Sequence, residues 1–184
     1  MKNKASDIAA YKYTSNDCFL IDANVWLYVG APPSANIASA TETYSAALKN
    51  IFQSKSTVFL SSTILSEYLN TYVRIEFNAH HKNNYKDFKT FRNSADFQAV
   101  GAKASADAQV IAKLCVPMDD RFSSCTLDDV FKDFESGIND FNDSVIIHFC
   151  REHTCKLITH DSDFTTGGID ILTGNNRLLS ACPA

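Results

Sequence analysis

NDFNDSVIIHFCREHTCKLITHDSDF, residues 139–164, holds a helix pattern, a strand pattern and a set of acids in one run. Asp143, Ile146, Ile147 and Cys150 recur at helical spacing, with Asn139 placed to cap the helix. Leu157-Ile158 then follows Lys156 as a short apolar run and stops at Thr159-His160-Asp161. Three more such runs are Cys18–Ile21, Val58–Leu60 and Ile169–Leu172. Short runs with little polar alternation suit strands covered on both faces, as parallel strands are.

Helical patterns lie between them. Ala38–Phe52 carries Tyr44, Leu48, Ile51 and Phe52 on one side. Ser62 is placed to cap a helix with Leu65, Tyr68, Leu69, Tyr72 and Val73, and Ser105–Leu114 reads as another helix. Strands separated by helices predict a three-layer α/β/α sandwich around a central parallel sheet. Residues 75–102 offer no strand and read as an extra helical segment. No Pro- or Gly-rich linker interrupts the chain, so residues 1–184 are expected to form a single domain.

The chain has 184 residues, 45% of them hydrophobic and 21% charged, which excludes disordered and fibrous classes. No window approaches the roughly 18 unbroken apolar residues of a membrane span. The N-terminal stretch has no apolar core of a secretory signal. The six cysteines show neither CxxC pairs nor zinc-ligand spacing. Together these predict a reduced, cytoplasmic setting and no membrane.

In parallel sheets, function gathers at the carboxyl ends of the strands. Asp22 directly follows Cys18–Ile21, and Asp161 follows Leu157-Ile158 after two residues. Asp143 heads an inward-facing helix stripe, with Asp140 three residues earlier on the same side. Glu67 lies at the margin of an apolar stripe beside Ile64 and Tyr68. Four or five carboxylates without nearby Lys or Arg would repel one another unless cations joined them. Hard oxygen donors select Mg²⁺ or Mn²⁺, and such ions suit hydrolysis of a phosphodiester by activated water.

FLIDANVWLY (19–28), LSSTILSEYLN (60–70) and residues 139–164 together resemble the PIN-domain family, and these blocks lie within residues 18–164. Asp22 and Asn24 stand in the family's Asp-x-Asn, Glu67 in its second block, and Asp143 and Asp161 at its third and fourth acids. Thr159 and Asp163 take the accompanying places, and Asp140 is an additional acid that some members carry. The resemblance implies an α/β/α fold and a metal-dependent ribonuclease, commonly a VapC-like toxin with an antitoxin partner and a homodimeric state. The chain is longer than compact members of that toxin group, and Ile75–Ala102 holds the excess.

Catalytic and metal-binding roles are therefore expected for Asp22, Glu67, Asp143 and Asp161, with Asp140 as ligand or support. Asn24 would position Asp22, touch substrate phosphate or cap the next helix. Thr159 would hydrogen-bond a carboxylate or the attacking water, and Asp163 stands as a supporting residue. From Arg74 to Lys103 the bases Arg74, Lys82, Lys86, Lys89, Arg92 and Lys103 outnumber three acids and interleave with Phe77, Tyr85, Phe88, Phe91 and Phe97. That pattern suits phosphate contact and base stacking on single-stranded RNA, an amphipathic helical pair with lysines outward, or a seat for an antitoxin. Two competing functions are a PIN-like RNA- or protein-binding module without turnover, and a phosphatase. The phosphatase needs a second Asp where Asn24 stands. The formal charge is −4, and setting aside the five site acids turns it into +1. The acidity of the chain is thus the size of the site itself, and any grip on RNA is local.

Overall fold

A computed structural model describes residues 1–30, 32 and 38–184. Cys18–Ile21 becomes a strand because Phe19, Leu20 and Ile21 are all buried in succession, which requires cover on both faces of the sheet. The strands are β1 (Lys4–Asp7), β2 (Cys18–Ile21), β3 (Thr57–Leu60), β4 (Val116–Pro117), β5 (Lys156–Ile158) and β6 (Asp170–Thr173). They form one sheet in the order β1-β6-β5-β2-β3-β4, with every pairing parallel. The helices are α1 (Ala23–Val29), α2 (Ala38–Gln53), α3 (Ser62–Glu76), α4 (Phe88–Arg92), α5 (Ala95–Leu114), α6 (Leu127–Glu135), α7 (Phe141–Glu152) and α8 (Asn176–Ala181). The architecture is the expected α/β/α sandwich.

Strand order places the site. From β2 the chain moves outward to β3 and β4, then returns through α7 to β5 on the other side of β2. The order reverses between β2 and β5, and a crevice opens at the carboxyl ends of two such strands. Asp22 and Thr159 stand there, one residue beyond each strand.

Residues 75–102 are helical, as expected, but α5 begins at Ala95, ten residues before the predicted Ser105. The helix α3 runs on into a π-helical turn at Phe77–His81, followed by α4. Phe91 is fully buried, stacked on His81 at 4.5 Å and packed with Phe77, Tyr85, Phe88 and Phe97 at 5.3–6.1 Å. The excursion thus has its own aromatic centre. Lys82, Lys86, Lys89 and Arg92 remain exposed, and the Arg74 guanidinium lies 4.6 Å from the Phe88 ring centroid.

Two helix caps differ from expectation by one residue. Ser61, not Ser62, caps α3 by accepting from the Ile64 N–H at 3.3 Å, while Ser62 donates to Asp120. Asp140, not Asn139, caps α7 by accepting from the Asp143 N–H at 2.8 Å. A carboxylate at a helix N-terminus also gains from the helix dipole, which an amide does not. The strand β1 carries no sequence signal of its own because KASD holds a single apolar residue. It forms because β6 offers an unpaired edge, in register from Lys4↔Asp170 to Asp7↔Thr173.

At the opposite end of the sheet, buried Asp17 ties the turn before β2 to β5. Its carboxylate accepts from Tyr11 at 2.6 Å, from the Thr14 N–H and hydroxyl at 2.8 and 2.9 Å, and from Lys156 at 3.0 Å. Burial alone would raise this carboxyl, but the hydrogen bonds from Tyr11, Lys156 and Thr14 outweigh it and hold the group at about 2. A lowered native value stabilises the fold above the unfolded value near 4, and that gain is lost as pH falls through 2. Asp17→Asn is expected to cost about 2 kcal/mol at pH 7 and to flatten acid unfolding between about pH 4 and 2, read by denaturant titration.

Candidate active site

Asp22 ends β2 and begins α1, so its carboxylate is carried to the crevice by backbone that is already fixed: its N–H donates to Ile158 O at 2.9 Å, and its carbonyl accepts from Val25 and Trp26. The side chain is only 4% exposed. Its Oδ2 accepts from the Thr159 hydroxyl at 2.6 Å and from the Asn24 amide at 2.7 Å. Thr159 Oγ1 in turn accepts from the Asp161 N–H at 3.0 Å, and Asn24 Oδ1 accepts from the His160 N–H at 3.2 Å. Asn24 therefore positions Asp22 and ties α1 to the turn after β5. It does not cap α1, whose N-cap is Asp22 itself.

The other acids surround a neighbouring cleft of about 620 Å³. Glu67 enters from α3, Asp140 and Asp143 from the start of α7, and Asp161 and Asp163 from the turn after β5. Asp161 Oδ1 accepts from the Asp163 N–H at 2.9 Å, which curls that turn. Among the described residues no Lys, Arg or His forms an ion pair with Asp22, Glu67, Asp140, Asp143 or Asp161. Burial and the neighbouring carboxylates hold Glu67 up to about 7 and Asp143 up to about 7. Asp22 is pushed up to about 6 by burial, with the Thr159 hydrogen bond pulling against it.

This donor set is hard, oxygen-only and short of positive charge, which is the chemistry that suits a divalent cation. Among the described residues no three His, Cys, Asp or Glu side chains stand close enough to share one ion. Like charges in a cleft favour such separation.

Residues without a sequence signal frame the site. Buried Asn3 donates to Phe164 O at 3.0 Å and Thr166 O at 2.9 Å, and accepts from the Ile169 N–H at 3.0 Å, pinning the segment after Asp163. Tyr44 Oη lies 3.1 Å from Thr159 O and 2.9 Å from His160 Nδ1, so the imidazole is spent on packing against Tyr28 and Tyr44. Their partners lie more than a hundred residues away, and no local signal marks them. Of the basic residues, Arg74, Lys82, Lys86, Lys89 and Arg92 all lie outside the acidic cleft. A trough leads toward them: Glu67 and Asn142 join the cleft to a hollow along Ser66 and Asn70, which continues to Phe88 and Arg92. The interleaved aromatics pack inward on one another, as in the amphipathic reading.

Two measurements check these electrostatics. Thr159→Val removes the hydroxyl donor from buried Asp22, so stability should fall by about 1–3 kcal/mol. The Asp22 carboxyl should rise further, moving the pH midpoint of Mn²⁺ binding upward. Between about pH 4 and 7, Glu67 and Asp143 hold protons in the native state that the unfolded chain has released. Stability of the metal-free protein should therefore fall as pH rises through that window. Melting in EDTA at pH 5 and pH 8 should show this drop, and Glu67→Gln should reduce it.

The PIN domain family model matches residues 19–168. No curated protein matches the chain in sequence. Among solved structures, VapBC2 of Rickettsia felis, bound to a DNA fragment from its promoter, aligns with a TM-score of 0.53 at 15% identity, covering 85% of this chain and 98% of that one. This likeness is one of fold. PAE2754 of Pyrobaculum aerophilum aligns at 0.46 and 16% identity, covering 84% and 91%. VapC20 of Mycobacterium tuberculosis, a sarcin–ricin loop cleaving toxin, aligns at 0.44 and 15%, covering 79% and 92%. With the motif acids gathered at the strand-order reversal and the family model spanning most of the chain, this protein belongs to the PIN domain family.

Proposed function

We propose that this chain is a metal-dependent endoribonuclease that hydrolyses RNA phosphodiesters with activated water, and that it acts as the toxin of a toxin–antitoxin pair. One observation carries the reading: six carboxylates, Asp22 in the crevice and five in the neighbouring cleft, stand there with no cationic side chain paired to any of them among the described residues. Asp22, Glu67, Asp143 and Asp161 are the proposed ligands of Mg²⁺ or Mn²⁺. Asp140 adds the oxygen not used to cap α7, and Asp163 supports the turn. A divalent ion at this site would supply a nucleophilic water near neutral pH and offset phosphate charge.

The chain's own residues do the rest. Thr159 and Asn24 hold Asp22 in one orientation and keep it ionised against the cost of burial. Deprotonation of Glu67 and Asp143 near pH 7 makes the site competent only as the protons leave. Single-stranded RNA would reach it along the trough from Arg92 past Asn70 and Ser66, with Arg74, Lys82, Lys86 and Lys89 contacting phosphates nearby. An antitoxin partner is in keeping with the fold shared with the VapBC2 complex. A homodimer is proposed on the family resemblance.

A PIN-fold binding module without turnover is favoured by one feature, the separation of the carboxylates. Cleavage decides between the two. With Mg²⁺ or Mn²⁺, unstructured RNA should be cut by the parent protein and spared in EDTA. Asp22→Asn and Asp143→Asn should lower the rate more than about 100-fold, beyond the 10–100-fold typical of outer-shell changes. Both should keep the parent circular dichroism. Binding without cleavage under every metal tested would leave the module.

A further inference from the structure

The aromatic rings that face solvent in this molecule are not those of the lysine-rich excursion. Phe122, Leu127, Phe131, Phe134, Ile138 and Phe141, all within residues 122–141, are exposed. In α6, Val130 is buried, while Leu127, Phe131 and Phe134, spaced four and three apart, share an outward face. Asp129 and Asp133 turn instead to a small cavity shared with Ser144 and Ile147 of α7. Phe122 and Phe141 pair at 6.1 Å, but Phe131 and Phe134 have no ring partner among the described residues and are 51% and 59% exposed. An exposed apolar helix face of this kind marks a contact surface.

Phe134, Gly137 and Ile138 form one lip of the acidic cleft that also holds Glu67, Asp140, Asp143 and Asp161. Charge offers a nucleic acid little grip on this lip. Between residues 121 and 143 the only cations are Arg121 and Lys132, and Lys132 lies 3.9 Å from Asp129. What an unpaired ring beside a phosphodiester site can hold is the flat face of an unpaired nucleobase. We propose that Phe134, with Phe131 one turn away and Ile138 beyond it, is a stacking platform for a single-stranded RNA base next to the scissile phosphate. The choice of occupant rests on the nuclease reading. The lip with Phe134 and the trough that leads to Arg92 both border the acidic cleft, so the strand is held there by stacking as well as by charge.

The test uses the full chain with Mg²⁺, an Asp143→Asn background to block turnover, and short RNAs carrying 2-aminopurine at successive positions. Binding should quench the fluorophore at one position near the acids. Phe134→Ala should weaken binding roughly ten-fold and abolish that quenching, Phe134→Leu should behave like alanine, and Phe134→Trp should restore both. The Phe134 effect should persist in high salt, whereas losses from Lys86→Ala and Arg92→Ala should shrink there. Unchanged affinity and quenching in Phe134→Ala would overturn the platform, as would full function in Phe134→Leu. Loss of a dimer in Phe134→Ala by sedimentation, with RNA binding intact, would make this face an interface between copies and also overturn the platform. If the parent protein never cleaves RNA yet shows position-specific quenching that needs the ring, the nuclease reading fails and the platform stands. If it cleaves RNA without such quenching, the nuclease reading stands and the platform fails.

Discussion

A buried carboxylate held by two neutral donors organises this molecule. Asp22 closes β2, and its Oδ2 takes hydrogen bonds from Thr159, just past β5, and from Asn24 in the first turn of α1. These three side chains join the two neighbouring strands between which the chain order reverses. Burying a charge without a cationic partner is costly, and hydrogen bonds to the charged form offset part of that cost. Because the donors are neutral, the negative charge is held in place without being cancelled. Its field reaches Glu67 and Asp143, which share the same electrostatic strain.

Charge elsewhere is arranged around that fact. The strongly tied carboxylate at the other end of the sheet, Asp17, has Lys156, Tyr11 and Thr14 about it and stays fully ionised. Similar residue types thus serve opposite purposes at the two ends of β2. One acid is satisfied and locks the fold, while the other is left in deficit and makes the crevice attractive to cations. The excursion between α3 and α5 adds exposed bases without disturbing either end, because Phe91 and its neighbouring rings give it an apolar centre of its own.

Much of this is legible in the chain alone. Phe19-Leu20-Ile21 suits a strand covered on both faces, which puts Asp22 at its end. The stripe of Asp143, Ile146, Ile147 and Cys150 likewise turns an acid toward the interior. Adjacent candidates defeat the same reasoning: Ser61 and Ser62 are equally good caps in one dimension, while Asp140 has over Asn139 the charge that the helix dipole favours. The strand β1 is invisible in one dimension because its pairing depends on an edge supplied by β6, from the far end of the chain. The helix α6 carries a helical spacing in Leu127, Val130, Phe131 and Phe134, but only Val130 of the four is buried, so periodicity alone misplaces that face in the core.

By itself the sequence determined the parallel α/β class, the helical excursion and which acids come to the crevice and its cleft, because each follows from local periodicity and from which residues terminate apolar runs. Tertiary structure alone decided which donors serve those acids and where the remaining charges and rings face. Thr159 reaches Asp22 across 137 residues, Asn3 pins a turn from the far end of the chain, and Phe91 is buried while Phe134 is left bare. Spacing along a chain sets which residues share a face. What that face meets is set by strand order and by the cost of leaving like charges or apolar rings unpartnered.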